Sequence, residues 1–255
     1  MKEKLIKSHY VQADETTVVV TDSKGDDSKA KKYMWLYKTV EDRNPIILYD
    51  HQRTRSGSCP KDFLKGFSRI LQTDGYQGYN KVENVKRIYC LAHIRRKYFD
   101  IVSNLKDEAL KTSRALLGFN FCEQLYKIEK ELKEKYKDSD DYYAERYKIR
   151  LEKSAPIIED FIKYVEELKD ALPKSPLEQA LEYSQKFLPS FRIFLTDGAL
   201  EIDNNASERA IKPFVIGRKN WLLCNTSRGA KSSASIYSII ETAKANGLSV
   251  EKYLV

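Results

Sequence analysis

Three carboxylates in this chain stand where their chemistry draws notice. Asp14 interrupts the β-branched run "QADETTVVV", although Asp is disfavoured in strands. Asp74 ends "RILQTD", a short extended stretch, immediately before Gly75. Glu208 lies one turn into an expected helix in "DNNASERAIKPFVIGRKNWLL". From Arg209 to Lys231 six Lys or Arg residues follow it with no Asp or Glu. Carboxylates gathered in one place repel one another and invite hard divalent cations with oxygen ligands. Two such cations about 3.5–4 Å apart activate an attacking oxygen and stabilise a leaving oxygen in phosphoryl transfer. Each acid also has an ordinary alternative. Asp14 fits the solvent face of a strand, Asp74 fits an Asp-Gly turn, and Asn205 with Glu208 fits a capping box.

The elements that must position these residues follow from pattern. Residues 8–52 read as three strands, "HYVQADETTVVVTD", "KYMWLYKTV" and "NPIILYDHQ", with the polar connection "DSKGDDSKAK" after the first. Short connections favour an antiparallel meander. A β-α-β-α run follows: a short helix at "CPKDFLKGF", a strand ending at Asp74, a helix entered through "GYQGYNKV", a strand at "VKRIYC" and a helix from "LAHIRRKYFDIVSNL". Residues 100–190 read as helical throughout. Phe121, Leu125, Ile128, Leu132 and Tyr136 make one apolar stripe, and Ile158, Phe161, Ile162, Val165 and Leu168 another. Ser175, Pro176 and Glu178 spell a capping box. The last part reads as a helix from about Asn205, a loop or short strand near "NWLLCN", and a helix that Gly247 ends. A meander followed by β-α-β-α is the strand order of a ribonuclease H-like α/β fold. Its first strand and the end of its fourth bring two acids together, and a later helix brings a third.

Charge separates the chain in the same way. Its 255 residues carry a net charge of +8, yet residues 100–170 hold 14 Lys/Arg and 17 Asp/Glu, a net of −3, which leaves +11 elsewhere. A second acid-free basic stretch is "KRIYCLAHIRRK", Lys86 to Lys97. Positive charge gathered away from a balanced helical block suits a polyanion, above all nucleic acid, although a solvated basic surface is equally compatible with charge alone. The four cysteines have no C-x-x-C spacing and read as reduced thiols. No apolar run approaches the roughly 20 residues that span a bilayer, and "MKEKLIKSHY" is not a signal peptide. A cytoplasmic protein, near the nucleoid if it binds DNA, is expected.

The stretches "QADETTVVV", "LQTDGYQGYN", "CLAHIRRKYF" and "DNNASERAIKPFVIGRKNWLL" closely resemble the catalytic region of insertion-sequence-sixty-six (TnpC-type) DDE transposases, in order and from about residue 8 to 253. The resemblance implies a ribonuclease H-like core over 8–100 and 196–255, with a large all-helical insertion over 101–195 in the 134-residue interval between Asp74 and Glu208. It implies Asp14, Asp74 and Glu208 as catalytic and metal-binding triad, with Asp203 the rival to Glu208. It also implies two Mg²⁺ or Mn²⁺ ions, double-stranded DNA as transposon end and target, and a homodimer on paired ends. Arg209, Lys212, Arg218 and Lys219 would then contact DNA phosphates, with Arg95, Arg96 and Lys97 as a second contact. The chain departs from the family at Leu91, where Trp is usual, and at Val215, seven positions after Glu208, where many DDE enzymes place a basic residue. Members typically run to about twice this length, with amino-terminal regions that bind transposon ends. Two rivals remain: a ribonuclease H-like nuclease that cuts without joining, and a silent remnant that binds DNA.

Overall fold

The computed structural model describes residues 1–21, 31–40, 44–168 and 172–254. It contains α1 (Lys2–Lys7), β1 (Tyr10–Val18), β2 (Lys32–Thr39), β3 (Ile47–Gln52), α2 (Ser58–Phe63), β4 (Ile70–Thr73) and β5 (Lys86–Tyr89). Then come α3 (Leu91–Val102), α4 (Asp107–Lys111), α5 (Arg114–Tyr136), α6 (Tyr142–Ile149), α7 (Ala155–Glu167), α8 (Pro176–Phe187) and α9 (Phe191–Phe194). The chain ends with α10 (Asn205–Trp221), α11 (Ser227–Ala245) and α12 (Val250–Leu254). Apart from Lys31, the polar connection after β1 lies outside the described residues. Two compact units divide the chain: Met1–Arg87 with Asn204–Val255, and Ile88–Asp203. The α3 helix, with Arg95, Arg96 and Lys97, belongs to the second.

The five strands form one mixed sheet in the order β3-β2-β1-β4-β5. The β1–β2 and β2–β3 pairs are antiparallel and β1–β4 is parallel. This is the expected ribonuclease H-like order. Side chains alternate between faces along each strand, and both faces of β1 are covered. Val11 and Ala13 join Trp35, Tyr37, Leu71 and Tyr79 in one apolar cluster. Val18 joins Met34, Leu36 and Tyr49 in the other, against Ala210, Ile211 and Phe214 of α10 and Ala230 and Ala234 of α11. The edge strand β3 is closed by hydroxyls from α11. Ser238 Oγ accepts from Tyr49 N at 2.8 Å, and Thr242 Oγ1 both accepts from Ile47 N and donates to Ile47 O at 2.9 Å. Edge polar groups are thereby satisfied without another strand.

Three local expectations change. "GYQGYNKV" forms only a 3-10 turn, Gln77–Lys81, as two glycines and an asparagine disfavour a longer helix. The helix at 205–221 is capped at Asn204 with no side-chain cap bond, so the Asn205–Glu208 capping box does not form. The buried line of α5 runs through Ala115, Gly118, Cys122, Leu125, Glu129 and Leu132; it shares Leu125 and Leu132 with the expected stripe and leaves Phe121, Ile128 and Tyr136 half-buried. Other readings hold. Ser175 Oγ accepts from Glu178 N at 3.1 Å, the α7 stripe is buried at Ile158, Phe161, Ile162 and Val165, Gly247 follows α11 with φ +69°, and the four cysteines are free.

Glu129 turns α5 because it is the hub of a buried ion network. Arg146 Nη2 and Nε donate to its Oε2 at 2.7 and 2.9 Å, and Arg150 Nε donates to Oε1 at 2.8 Å. The arginines also hold the carbonyls of Asp197, Gly198 and Leu200. Burial alone would raise the Glu129 carboxyl, but the hydrogen bonds and charges of Arg150 and Arg146 outweigh it and hold it below its ordinary range. Its stabilising effect is therefore present above the ordinary carboxylate pKa and lost as pH falls through the depressed value. Glu129→Leu strands the buried Arg150 guanidinium and leaves Arg146 with Glu201 as its acid partner, and is expected to cost about 3–5 kcal/mol in denaturant unfolding of the chain. A loss below about 1 kcal/mol would mean that packing, not this network, holds the helical unit.

Candidate active site

Both acid-bearing strands carry glutamine two residues before aspartate, Gln12-Ala13-Asp14 and Gln72-Thr73-Asp74. Their parallel register pairs Tyr10 with Ile70, Val11 with Leu71 and Gln12 with Gln72. Carried two residues further, it sets Asp74, just past the end of β4, beside Asp14, one strand spacing of about 4.8 Å away. The glutamines are fully buried and bonded to each other: Gln12 Nε2 donates to Gln72 Oε1 at 2.8 Å and to Tyr10 Oη at 3.0 Å. The Tyr10 hydroxyl donates to Gln72 Oε1 as well. Asp74 is set by an Asx turn in which its Oδ1 accepts from Tyr76 N at 2.9 Å.

Glu208 reaches the same region because the start of α10 is fastened to β1. Ser207 N donates to Gln12 Oε1 at 3.1 Å, and Asn204 Nδ2 donates to Ala13 O at 3.0 Å. Farther along, Arg218 Nη1 donates to Thr16 Oγ1 at 3.2 Å and to Thr17 Oγ1 at 3.0 Å. The two fastenings are commensurate. Eleven helical residues from Ser207 to Arg218 rise about 16 Å, and five strand residues from Gln12 to Thr17 span about the same. The helix therefore runs along β1, on the face to which Gln12, Asp14 and Thr16 point. Glu208 follows Ser207 and shares the helical stripe of Ile211, Val215 and Arg218.

The electrostatics agree with this placement. Burial pushes the Asp14 carboxyl up from its ordinary 3.8 to about 8, and the charges of Glu15, Asp74 and Glu208 add to the rise. A bond from Glu15 N to Asp14 Oδ1, at 2.8 Å, opposes it. Three half-buried carboxylates, with Asp74 and Glu208 both acting on Asp14, offer oxygen donors. That donor set fits a hard divalent ion.

The expected basic residues divide. Arg209, Lys212 and Lys219 are exposed on α10, whereas Arg218 is turned inward onto β1. In the helical unit Arg95 pairs with Glu123 and lies 4.9 Å from the Phe119 ring centroid, while Arg96 and Lys97 are exposed. Asp203, the rival to Glu208, accepts from Tyr126 Oη at 3.1 Å in that unit. Gln12, Gln72, Asn204 and Ser207 had no place in the sequence reading. The repeated Gln-x-Asp in two expected strands was the signal that could have found the first two.

The profile of the Transposase IS66 family matches residues 1–232. The chain is similar to the uncharacterized protein y4qI of Sinorhizobium fredii, 32% identical over 264 residues that cover 96% of this chain and 46% of that one. It is similar also to the uncharacterized protein y4hP of the same organism, 28% identical over 276 residues that cover 98% and 48%. It thus spans about half the length of the curated relatives it matches. No helix among the described residues is long and apolar enough to cross a membrane. With the likeness extending over almost its whole length, the chain belongs to the IS66 family of transposases.

Proposed function

We propose that this chain is the catalytic region of a DDE transposase, with Asp14, Asp74 and Glu208 as the metal-binding triad. The observation that carries the reading is the register of β1 and β4, which sets Gln12 against Gln72 and so aligns the two aspartates. The fastening of Ser207 to Gln12 supports Glu208 as the third member. Two Mg²⁺ or Mn²⁺ ions held by these carboxylates would supply activation of the attacking oxygen and charge stabilisation at the leaving oxygen. The reaction proposed has two phosphoryl transfers. Water first cleaves a phosphodiester at a transposon end and frees a 3′-hydroxyl. That hydroxyl then attacks a target phosphodiester, joining to its phosphorus and expelling the target's own 3′-oxygen.

The protein's part is placement and charge. Asp14 must give up its proton to act as a ligand, and its high pKa keeps that proton in place until a cation arrives. Arg209, Lys212 and Lys219 present exposed charge for DNA phosphates. Arg218 acts at one remove, by holding α10 along β1. Double-stranded DNA as transposon end and target, and a homodimer on paired ends, complete the reading.

Calorimetric titration of Mn²⁺ tests the triad. Asp74→Ala and Glu208→Gln are each expected to weaken binding by at least about tenfold. Equal affinity in both variants and the parent would remove the metal reading.

Asp14 makes a second prediction. The folded state keeps its proton where the unfolded chain releases it near 3.8, so stability falls as pH rises from about 4 to about 8 and levels off above. The thermal shift given by Mn²⁺ should accordingly grow from pH 5 to pH 8, since less proton must be displaced. Asp14→Asn should flatten both trends in differential scanning fluorimetry. If the pH trends persist in that variant, another group is responsible.

A further inference from the structure

The face of β1 opposite Asp14 carries a second set of polar groups that the triad does not use. Glu15 points to this face, and its carboxylate accepts from Tyr79 Oη at 2.6 Å and from Arg55 Nε at 2.8 Å. Arg55 Nη2 pairs with the same carboxylate oxygen. The guanidinium carbon lies 3.9 Å from the Tyr76 ring centroid, and the Tyr76 hydroxyl donates to the Arg55 carbonyl. Tyr76 is also the residue whose N–H holds Asp74. Both tyrosines pack on Trp35, with centroids 6.4 and 5.5 Å from it. Arg55 is thus fixed to the neighbours of both aspartates: to Glu15, next to Asp14, and to Tyr76, two residues past Asp74.

The burial of the pair is lopsided. The Glu15 side chain is 2% exposed and that of Arg55 is 42% exposed. A pair that served only to settle a buried charge would have its cation buried too, as Arg146 and Arg150 are around Glu129. Here the acid is sunk among aromatic rings and holds one edge of a guanidinium at the surface. Among the described residues, Nη1 of Arg55 has no acceptor in the chain. An arginine fork held on one edge and against a ring is preorganised for a planar or tetrahedral oxyanion, and little rotamer freedom remains to be lost on binding.

We propose that Arg55 binds a non-bridging oxygen of a DNA phosphodiester at the rim of the acid cluster, with Glu15, Tyr76 and Tyr79 as the residues that position it. The inference rests on the triad reading, because the phosphate is placed by the nearness of Arg55 to Asp74, which Tyr76 bonds through its N–H while its hydroxyl holds Arg55. The acids alone repel a phosphodiester. A fixed cation beside them offsets that repulsion and orients the strand.

The test is fluorescence anisotropy of the full chain with a labelled DNA duplex in Ca²⁺, repeated over a salt series, alongside the Mn²⁺ titration. Arg55→Gln is expected to bind DNA roughly tenfold more weakly, with a slope of log affinity against log salt smaller by about 0.9, one phosphate contact. Arg55→Lys, which keeps charge without the fork, should recover part of the loss. The double variant Glu15→Gln/Arg55→Gln removes both charges, so it folds without a stranded acid and should match Arg55→Gln in DNA binding. Its Mn²⁺ binding should still be weakened by Asp74→Ala, as the parent's is. Unchanged affinity and slope in the double variant would overturn the proposal and leave Arg55 as a partner of Glu15 only. A parent chain that binds no DNA overturns it as well. A parent that loses DNA binding on Arg55→Gln, yet takes up Mn²⁺ unaltered by Asp74→Ala, supports the phosphate contact and removes the metal reading instead.

Discussion

The amide pair between Gln12 and Gln72 fixes everything that the site requires. A strand shifted by one residue turns each of its side chains to the other face of the sheet, so a slip of β4 against β1 would part Asp74 from Asp14. Apolar neighbours tolerate such slips better than buried amides, whose unmet hydrogen bonds each cost about 1–3 kcal/mol. In this register the Gln12 amide meets Gln72 and Tyr10 on one side and the Ser207 N–H on the other. The same side chain thus aligns two strands and docks the helix that brings Glu208. A polar network of this kind specifies one arrangement more sharply than it stabilises it.

The two units treat buried charge in opposite ways. In the helical unit Glu129 is met by two arginines, which also satisfy three backbone carbonyls. That network is closed, with each charge answered within the chain. Around Asp14 the charges of Glu15, Asp74 and Glu208 all push the same way, and its carboxyl keeps a proton up to about 8. Repulsion of this sort persists only where the surroundings hold the groups in place. Those surroundings are a central strand covered on both faces and an edge strand closed by Ser238 and Thr242. The contrast supports reading the acid cluster as a place for a cation from outside, since the same fold shows what a self-sufficient buried carboxylate looks like.

Much of the fold was legible because it rests on short-range signals. The meander, the Pro-led α2, the Ser175 capping box and the stop at Gly247 each follow from a few adjacent residues. What was illegible depended on distant partners. The face of α5 could not be chosen from its own sequence, because Glu129 is buried only through Arg146 and Arg150, 17 and 21 residues away. The capping box at Asn205 was locally plausible, but the tertiary bond of Asn204 to Ala13 anchors the helix start from the residue before. Asp14 was ambiguous between core and solvent for the same reason. Its strand is long enough to alternate, but the helices that cover the face on which it lies, α10 and α11, come some 190 residues later.

The basic segment after Glu208 shows where a linear reading and a helical one part. As a string, Arg209 to Lys231 looks like one uniform surface for a polyanion. On a helix of 3.6 residues per turn, Arg209, Lys212 and Lys219 share the outer face, and Arg218 falls on the stripe of Glu208 and Ile211. That stripe faces β1, and Arg218 donates from Nη1 to Thr16 and Thr17. The absence of acids therefore has two physical causes. On the outer face it keeps the field positive, which suits the phosphate contacts proposed for it. On the inner face an added carboxylate would join a crowd in which Asp14 already holds its proton, and any cation bound there would have to offset it as well.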